Sequence, residues 1–287
     1  MNKGTERAGI LYVVATPIGN LQDISARALE VLRTVALIAA EDTRHSRKLL
    51  THYGIATPLT ALHEHNERAV TEKLLTTLRA GKDIALVSDA GTPLISDPGF
   101  HLLREVRKAR IRTIPVPGAS ACITALSVAG LPTDRFVFEG FLPSRPVGRR
   151  QRLQTLRDEP RTLVFYEASH RICACLADMA QCLGGDREAT VARELTKTFE
   201  TVEQGTLAEL DAWVRADANR QKGEFVVLVH GAPPPGDTGV NPASAAILDI
   251  LLAELPLKQA AVLAAKITGQ SRNRLYEHGL TLKKRRE

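Results

Sequence analysis

Residues 87–99, read as Val87-Ser88-Asp89-Ala90-Gly91-Thr92-Pro93-Leu94-Ile95-Ser96-Asp97-Pro98-Gly99, gather groups able to do chemistry. Asp89 and Asp97 bring carboxylates, and Ser88, Thr92 and Ser96 bring hydroxyls. Two prolines fix the backbone path, while Gly91 and Gly99 let another group approach the main chain closely. The stretch follows the apolar run Ile84-Ala85-Leu86-Val87 and precedes residues 100–106, which have helical spacing. It is therefore a strand-to-helix loop, the place where open parallel sheets bind ligands. Two readings stand side by side. One is a ligand loop; the other is a Pro/Gly turn in which Asp97 caps the next helix with Pro98 at its first position.

The elements around this loop repeat its logic. Strands are expected over 10–15, 35–40, 59–63, 84–87 and 113–116, alternating with helices over 24–35, 45–53, 67–80 and from 100 onward, and with a small-residue helix to Ala129. That alternation predicts a doubly wound α/β unit with a mostly parallel sheet, residues 9–131. Four of its strand ends carry Pro/Gly/polar loops, at 16–20, 41–46, 88–97 and 117–121. They should line one edge of the sheet. A second α/β unit with a mixed sheet is expected over 132–231, a Pro/Gly linker over 232–242, and a helical module over 243–287. In that module a helix, a Gly-containing turn and a second helix form a helix-turn-helix pattern. Arg272, Asn273 and Arg274 sit on its last helix, and Lys283-Lys284-Arg285-Arg286 form a basic tail. Nearer the centre, residues 144–157 hold Arg145, Arg149, Arg150, Arg152 and Arg157. They make either a solvated basic helix or a phosphate-contacting segment.

Composition excludes several classes. No run of 18 apolar residues appears, and residues 1–9 lack an apolar signal core, so no membrane partner is expected. The four cysteines (Cys122, Cys173, Cys175, Cys182) have no zinc spacing and read as reduced residues of a cytoplasmic protein. His63 and His65 lack an evident third ligand, so no metal is expected. No GxGxxG follows the first strand, and neither a Walker A sequence nor a GxSxG elbow is present. A net charge of +6 favours a polyanionic partner.

Gly91-Thr92-Pro93-Leu94-Ile95 and Pro117-Gly118-Ala119-Ser120 together resemble the tetrapyrrole methylase superfamily, the class III S-adenosylmethionine methyltransferases. Thr16-Pro17-Ile18-Gly19-Asn20-Leu21, Glu41-Asp42-Thr43-Arg44 and Ser96-Asp97-Pro98-Gly99 narrow the resemblance. So do Glu139-Gly140-Phe141-Leu142-Pro143, Tyr166-Glu167-Ala168-Ser169-His170-Arg171 and Arg193-Glu194-Leu195-Thr196-Lys197. Over about residues 9–280 the chain is similar to the superfamily's branch of ribosomal RNA small-subunit methyltransferases. The resemblance implies two α/β domains with S-adenosylmethionine between them, S-adenosylhomocysteine as product, and a homodimer. It implies transfer to the 2′-hydroxyl of a cytidine in the decoding region of 16S rRNA, presented in the small ribosomal subunit. Carried onto this chain, the donor site is Pro17, Gly91, Thr92, Pro93, Ile95, Ser120 and Ala121. From the second unit it takes Phe165 or Tyr166, Leu195 and the neighbourhood of Gly223 and Glu224. Where some relatives have Asp in a Gly-Asp-Pro triplet, this chain has Thr92, a hydroxyl.

A sulfonium donor wants apolar and carbonyl surroundings, which Gly91, Pro93, Leu94, Ile95 and Ala121 can supply. A ribose hydroxyl is a poor nucleophile at neutral pH, so a nearby base helps. The candidates are Asp89, Asp97, Glu194 and Glu64, with Arg44, Arg193 and Lys197 to hold phosphates or orient the base. Arg145, Arg149, Arg150, Arg272 and Arg274 are the expected RNA contacts. Two other classes fit the sequence less well. A small-molecule methylase of the superfamily, acting on a tetrapyrrole, needs neither the basic segment nor the helical module. A non-enzymatic RNA-binding module has no use for Gly/Pro loops at four strand ends.

Overall fold

The structure is a computed structural model that describes residues 8–63, 65–233 and 242–286, with backbone alone for 242 and 283–286. Its first half alternates β1 (Leu11–Val14), α1 (Ala26–Thr34), β2 (Leu37–Ala40), α2 (Thr43–His52), β3 (Leu59–Ala61) and α3 (Glu67–Arg79). It continues with β4 (Ile84–Val87), α4 (Phe100–Lys108), β5 (Thr113–Val116) and α5 (Ala121–Val128). The five strands pair in parallel in the order β3-β2-β4-β1-β5. β4 is buried along its whole length, as the apolar run IALV requires of a strand covered on both faces. One hydrophobic cluster packs α1 and α2 on the sheet, and a separate one packs α3 and α4. The chain thus leaves β1 and β4, which are neighbours, toward opposite faces. The crevice between their carboxyl ends is a topological switch point.

The second half contains β6 (Phe136–Phe141), α6 (Pro146–Thr155), β7 (Thr162–Ala168), α7 (Ile172–Leu183) and β8 (Glu188–Arg193). β9 (Thr201–Thr206), α8 (Leu207–Arg215) and β10 (Glu224–Val229) complete it. Its sheet runs β6-β7-β10-β8-β9, parallel only between β6 and β7. The mixed sheet expected from adjoining strands is present. Residues 1–231 form one compact unit and 232–287 another. Within the first unit, α5 packs on the second sheet through Cys122, Ala125 and Leu126 against Val164, Val226 and Leu228.

The second unit contains α9 (Pro242–Glu254), α10 (Leu257–Thr268) and α11 (Arg272–Arg286). Gly269 ends α10 in the left-handed region, φ 72°, and starts the turn into α11. The last helix runs to 286, so the expected basic tail is part of it. Most of the expected linker, residues 234–241, lies outside the described residues. No described helix is long and apolar enough to cross a membrane.

Candidate active site

The loops after β1, β2, β4 and β5 meet the ends of β6, β7, β8 and β10 around a cleft of about 420 Å³. Two backbone hydrogen bonds between Thr16 and Gly91, at 2.8 and 3.1 Å, clamp the first and third of those loops together. Gly91 has φ +79°, and a Cβ there would press on the Ile18 side chain at 3.2 Å. The Thr92 hydroxyl donates to the Ala119 carbonyl at 3.1 Å and ties in the loop after β5. Of the expected donor residues, Gly91, Thr92, Ile95, Ser120, Ala121, Tyr166, Leu195 and Glu224 line the cleft. Pro17 and Pro93 do not; they are buried beside it and stiffen the loops. Ile18 takes the lining position instead of Pro17.

The charge of this lining is one-sided. Glu41, Asp89, Asp97, Glu167 and Glu224 face the cleft, and among the described residues no Lys, Arg or His does. Glu224 is answered by Lys197 at 2.8 Å and Glu167 by Arg171 at 3.1 Å. Asp89 accepts the Asp42 N–H at 2.9 Å, which ties β4 to the loop after β2. Burial pushes the Asp97 carboxyl up to about 6, with the Asp89 charge adding to the push; the Ser88 hydroxyl beside it opposes the rise. Glu41 is raised by burial and by the charges of Asp89 and Asp97. Tyr166 is driven up to about 12 by burial, although it accepts the Cys122 N–H at 3.0 Å. It therefore stays neutral. Such a lining rejects phosphate and suits a cation.

Asp97 does not cap α4. Gly99 holds the cap position with φ 119°, and the Glu67 carboxylate takes the Leu102 N–H at 3.0 Å. Left-handed backbone at Leu94 (φ 76°) and Ser96 (φ 71°) shapes the loop that carries Asp97, which lines the cleft. Non-glycine residues in that region are strained, a cost tolerated where function needs it.

Four of the expected site residues are engaged with partners of their own. Glu194 and Lys197 pair at 2.8 Å, and Glu194 also accepts the Glu224 N–H at 2.9 Å. Against the upward push of burial, Lys197 and that N–H hold Glu194 below the usual carboxylate range. The pair clasps residues 194–197 onto β10, and the Thr196 hydroxyl takes the Asn20 N–H at 3.1 Å. Arg44 is exposed and engaged with Asp42 at 2.7 Å. Arg193, expected to hold phosphate, is buried and donates to the Lys222 and Phe199 carbonyls. Glu64 lies outside the described residues.

Among the expected RNA contacts, Arg149 is corrected. It is 3% exposed, and its Nε donates to Asp178 at 2.6 Å. Its position on α6 turns it toward α7, where the buried Asp178 waits. Arg150 reaches the same carboxylate at 3.3 Å while remaining partly exposed, and Arg145 is exposed at the start of α6. Arg272 and Arg274 lie in the first turn of α11 in the separate helical unit. Sequence reasoning missed Glu41, Phe141 and Glu167 as lining residues. All three lie in motifs that carried the family resemblance, but a motif does not say which member faces inward.

The family of Tetrapyrrole (Corrin/Porphyrin) Methylases matches residues 10–211, and the RsmI C-terminal HTH domain matches residues 239–283. Several curated relatives carry the name Ribosomal RNA small subunit methyltransferase I. The one from Pseudomonas aeruginosa is 60% identical over 95% of this chain and 97% of its own. The one from Haemophilus influenzae is 52% identical over 96% and 98%, and the one from Synechocystis is 48% identical over 96% and 98%. Among solved structures, a diphthine synthase (17% identical, TM-score 0.60) covers 78% of this chain and 90% of its own. A cobalt precorrin-4 methyltransferase (18% identical, TM-score 0.60) covers 77% and 94%. At those identities the two structures establish the fold alone, and it is the tetrapyrrole methylase fold. With relatives matching nearly its whole length and both domain families in place, the chain belongs to the ribosomal RNA small subunit methyltransferase I family.

Proposed function

We propose that this protein is an S-adenosylmethionine-dependent methyltransferase of 16S rRNA that modifies the 2′-hydroxyl of a cytidine in the decoding region. The observation that carries the reading is the cleft at the switch point. It is acidic, free of cationic side chains among the described residues, and built around a half-buried carboxyl at Asp97. The lining fits the donor: a sulfonium and an α-ammonium both gain from carboxylates, and Gly91 and Ala121 allow close approach. When bound, S-adenosylmethionine supplies an electrophilic methyl group and leaves as S-adenosylhomocysteine. Gly91, Thr92, Ile95, Ser120, Ala121, Tyr166, Leu195 and Glu224 would hold it.

The remaining work falls to the chain's own groups. Asp97 is the base in this reading. Its carboxylate takes the proton of the attacking hydroxyl and passes it to water. A base with a pKa near the working pH is largely ionised yet still accepts a proton. Asp89 keeps the loop in register through Asp42, and Thr92 does so through Ala119. Alignment of the hydroxyl with the donor contributes the rest. Arg145 and Arg150, with Arg272 and Arg274 of the helical unit, are the phosphate contacts. The reading includes the assembled small subunit as substrate and a homodimer as the working form.

The test uses small ribosomal subunits lacking the modification and donor labelled in its methyl group, followed by mapping of the labelled nucleotide. One ribose-methylated cytidine in the decoding region is the expected result. Label on a base, or transfer to a tetrapyrrole instead of the subunits, would replace this reading. Light scattering of the purified protein checks the dimer.

A further inference from the structure

β6 ends in a feature that strand pairing does not require. Its register against β7 slips between Phe138 and Gly140, and Gly140 takes φ +63°. A bulge of this kind re-aims the next side chain. That side chain is Phe141, which stands 54% exposed on the lining of the cleft. Its ring meets that of Tyr166 edge-on, with centroids 5.7 Å apart. Tyr166 is itself braced by Phe138 at 4.9 Å and by the Cys122 N–H. Just downstream, Arg171 donates to the Leu142 and Pro143 carbonyls at 2.6 and 3.3 Å, and Glu167 holds Arg171 in turn. Phe141 is thus exposed, yet its backbone is fixed on both sides and its ring is supported from behind.

The placement is equally pointed. Ser96 Oγ lies 3.0 Å from where a Cβ on Gly140 would stand, so this rim touches the loop that carries Asp97. In a nucleotide the base is attached to C1′, next to the carbon bearing the 2′-hydroxyl. A ribose whose hydroxyl reaches Asp97 therefore brings its base close to this rim. Enzymes that act on a nucleotide within ordered nucleic acid take it out of its stack and hold the base against aromatic side chains. We propose that Phe141 is the stacking platform for the nucleobase of the target nucleotide, an inference that rests on the rRNA reading above.

The test compares F141A, F141L and F141W with the parent protein on unmodified small subunits. Stacking on an aromatic ring predicts that F141A loses about ten- to a hundredfold in kcat/KM for subunits. The KM for S-adenosylmethionine should stay unchanged. F141W should stay near the parent, and F141L should fall with F141A because it keeps apolar bulk but has no π face. An unchanged F141A, a matching loss of donor affinity, or an F141L as active as F141W would each overturn the proposal. A second readout is independent of transfer: fluorescence of F141W titrated with a cytidine-containing oligoribonucleotide, with the parent's single Trp213 as baseline. Quenching is expected, and its absence counts against stacking. A parent protein that binds donor but methylates no subunits would sink the rRNA reading alone, and the titration would still judge Phe141.

Discussion

Asp97 combines a half-buried carboxyl, a raised pKa of about 6 and a place on the cleft. If it is the base, log kcat/KM should rise with pH to a plateau with an inflection near 6. D97N should lose that inflection and about two to four orders of magnitude in rate, a far larger loss than in donor affinity by calorimetry. The stability effect has the opposite sign. The folded-state pKa lies above the ordinary aspartate value. This group therefore favours the fold fully below about pH 4, and that contribution is lost as pH rises through about 6. At pH 8 the native state carries a half-buried charge, so D97N should melt higher than the parent and should lose that advantage at pH 4. A D97N protein with parental activity would remove Asp97 from the mechanism and return attention to Asp89.

At the scale of elements, α6 carries arginines with opposite duties. Arg149 is sealed against Asp178 between α6 and α7. R149A leaves that buried carboxylate only the longer contact to the partly exposed Arg150, so it should cost about 2–3 kcal/mol of stability in denaturant unfolding. R145A should leave the melting curve alone, weaken subunit binding, and reduce the slope of log K against log salt by about 1. The clasp of Glu194, Lys197 and Glu224 is a second such element. K197A strands a partly buried carboxylate and should cost about 1–3 kcal/mol. Its kcat/KM profile should keep the inflection near pH 6; losing it would place Lys197 in the chemistry.

For the whole molecule, the chain divides into two compact units, and the cleft belongs to the first. The cleft is lined entirely from residues 18–226, while the helical unit has its own small core of Leu248, Ala260, Ala261, Ala264 and Leu275. A chain ending at 231 should therefore fold and bind S-adenosylhomocysteine with parental affinity by calorimetry. Its KM for small subunits should rise at least tenfold, and the salt dependence of binding should weaken. Equal activity of the truncated and full chains would make the helical unit dispensable for rRNA.

Much of this was legible without coordinates. Apolar runs alternating with amphipathic stretches pointed to the parallel sheet of the first half and to a mixed sheet after it, because burial on both faces or on one writes its period into the chain. Pro/Gly loops at four strand ends pointed to one edge, and most of the expected donor residues line the cleft there. What a linear reading leaves open is where each charged side chain finds its partner. Glu194, Arg193 and Arg149 look like Asp97 and Arg145 in sequence, but packing supplies the first three with Lys197, the Lys222 and Phe199 carbonyls, and Asp178. Of the two readings of Asp97, the cap of α4 falls away, since a carboxylate 30 residues away, Glu67, serves that helix instead. A bulge in β6, visible only against its neighbour β7, aims Phe141 at the cleft. Periodicity is a local property and the chain alone determines it. The desolvation and pairing that separate a base from an anchor depend on contacts between distant segments, and only the tertiary structure decides them.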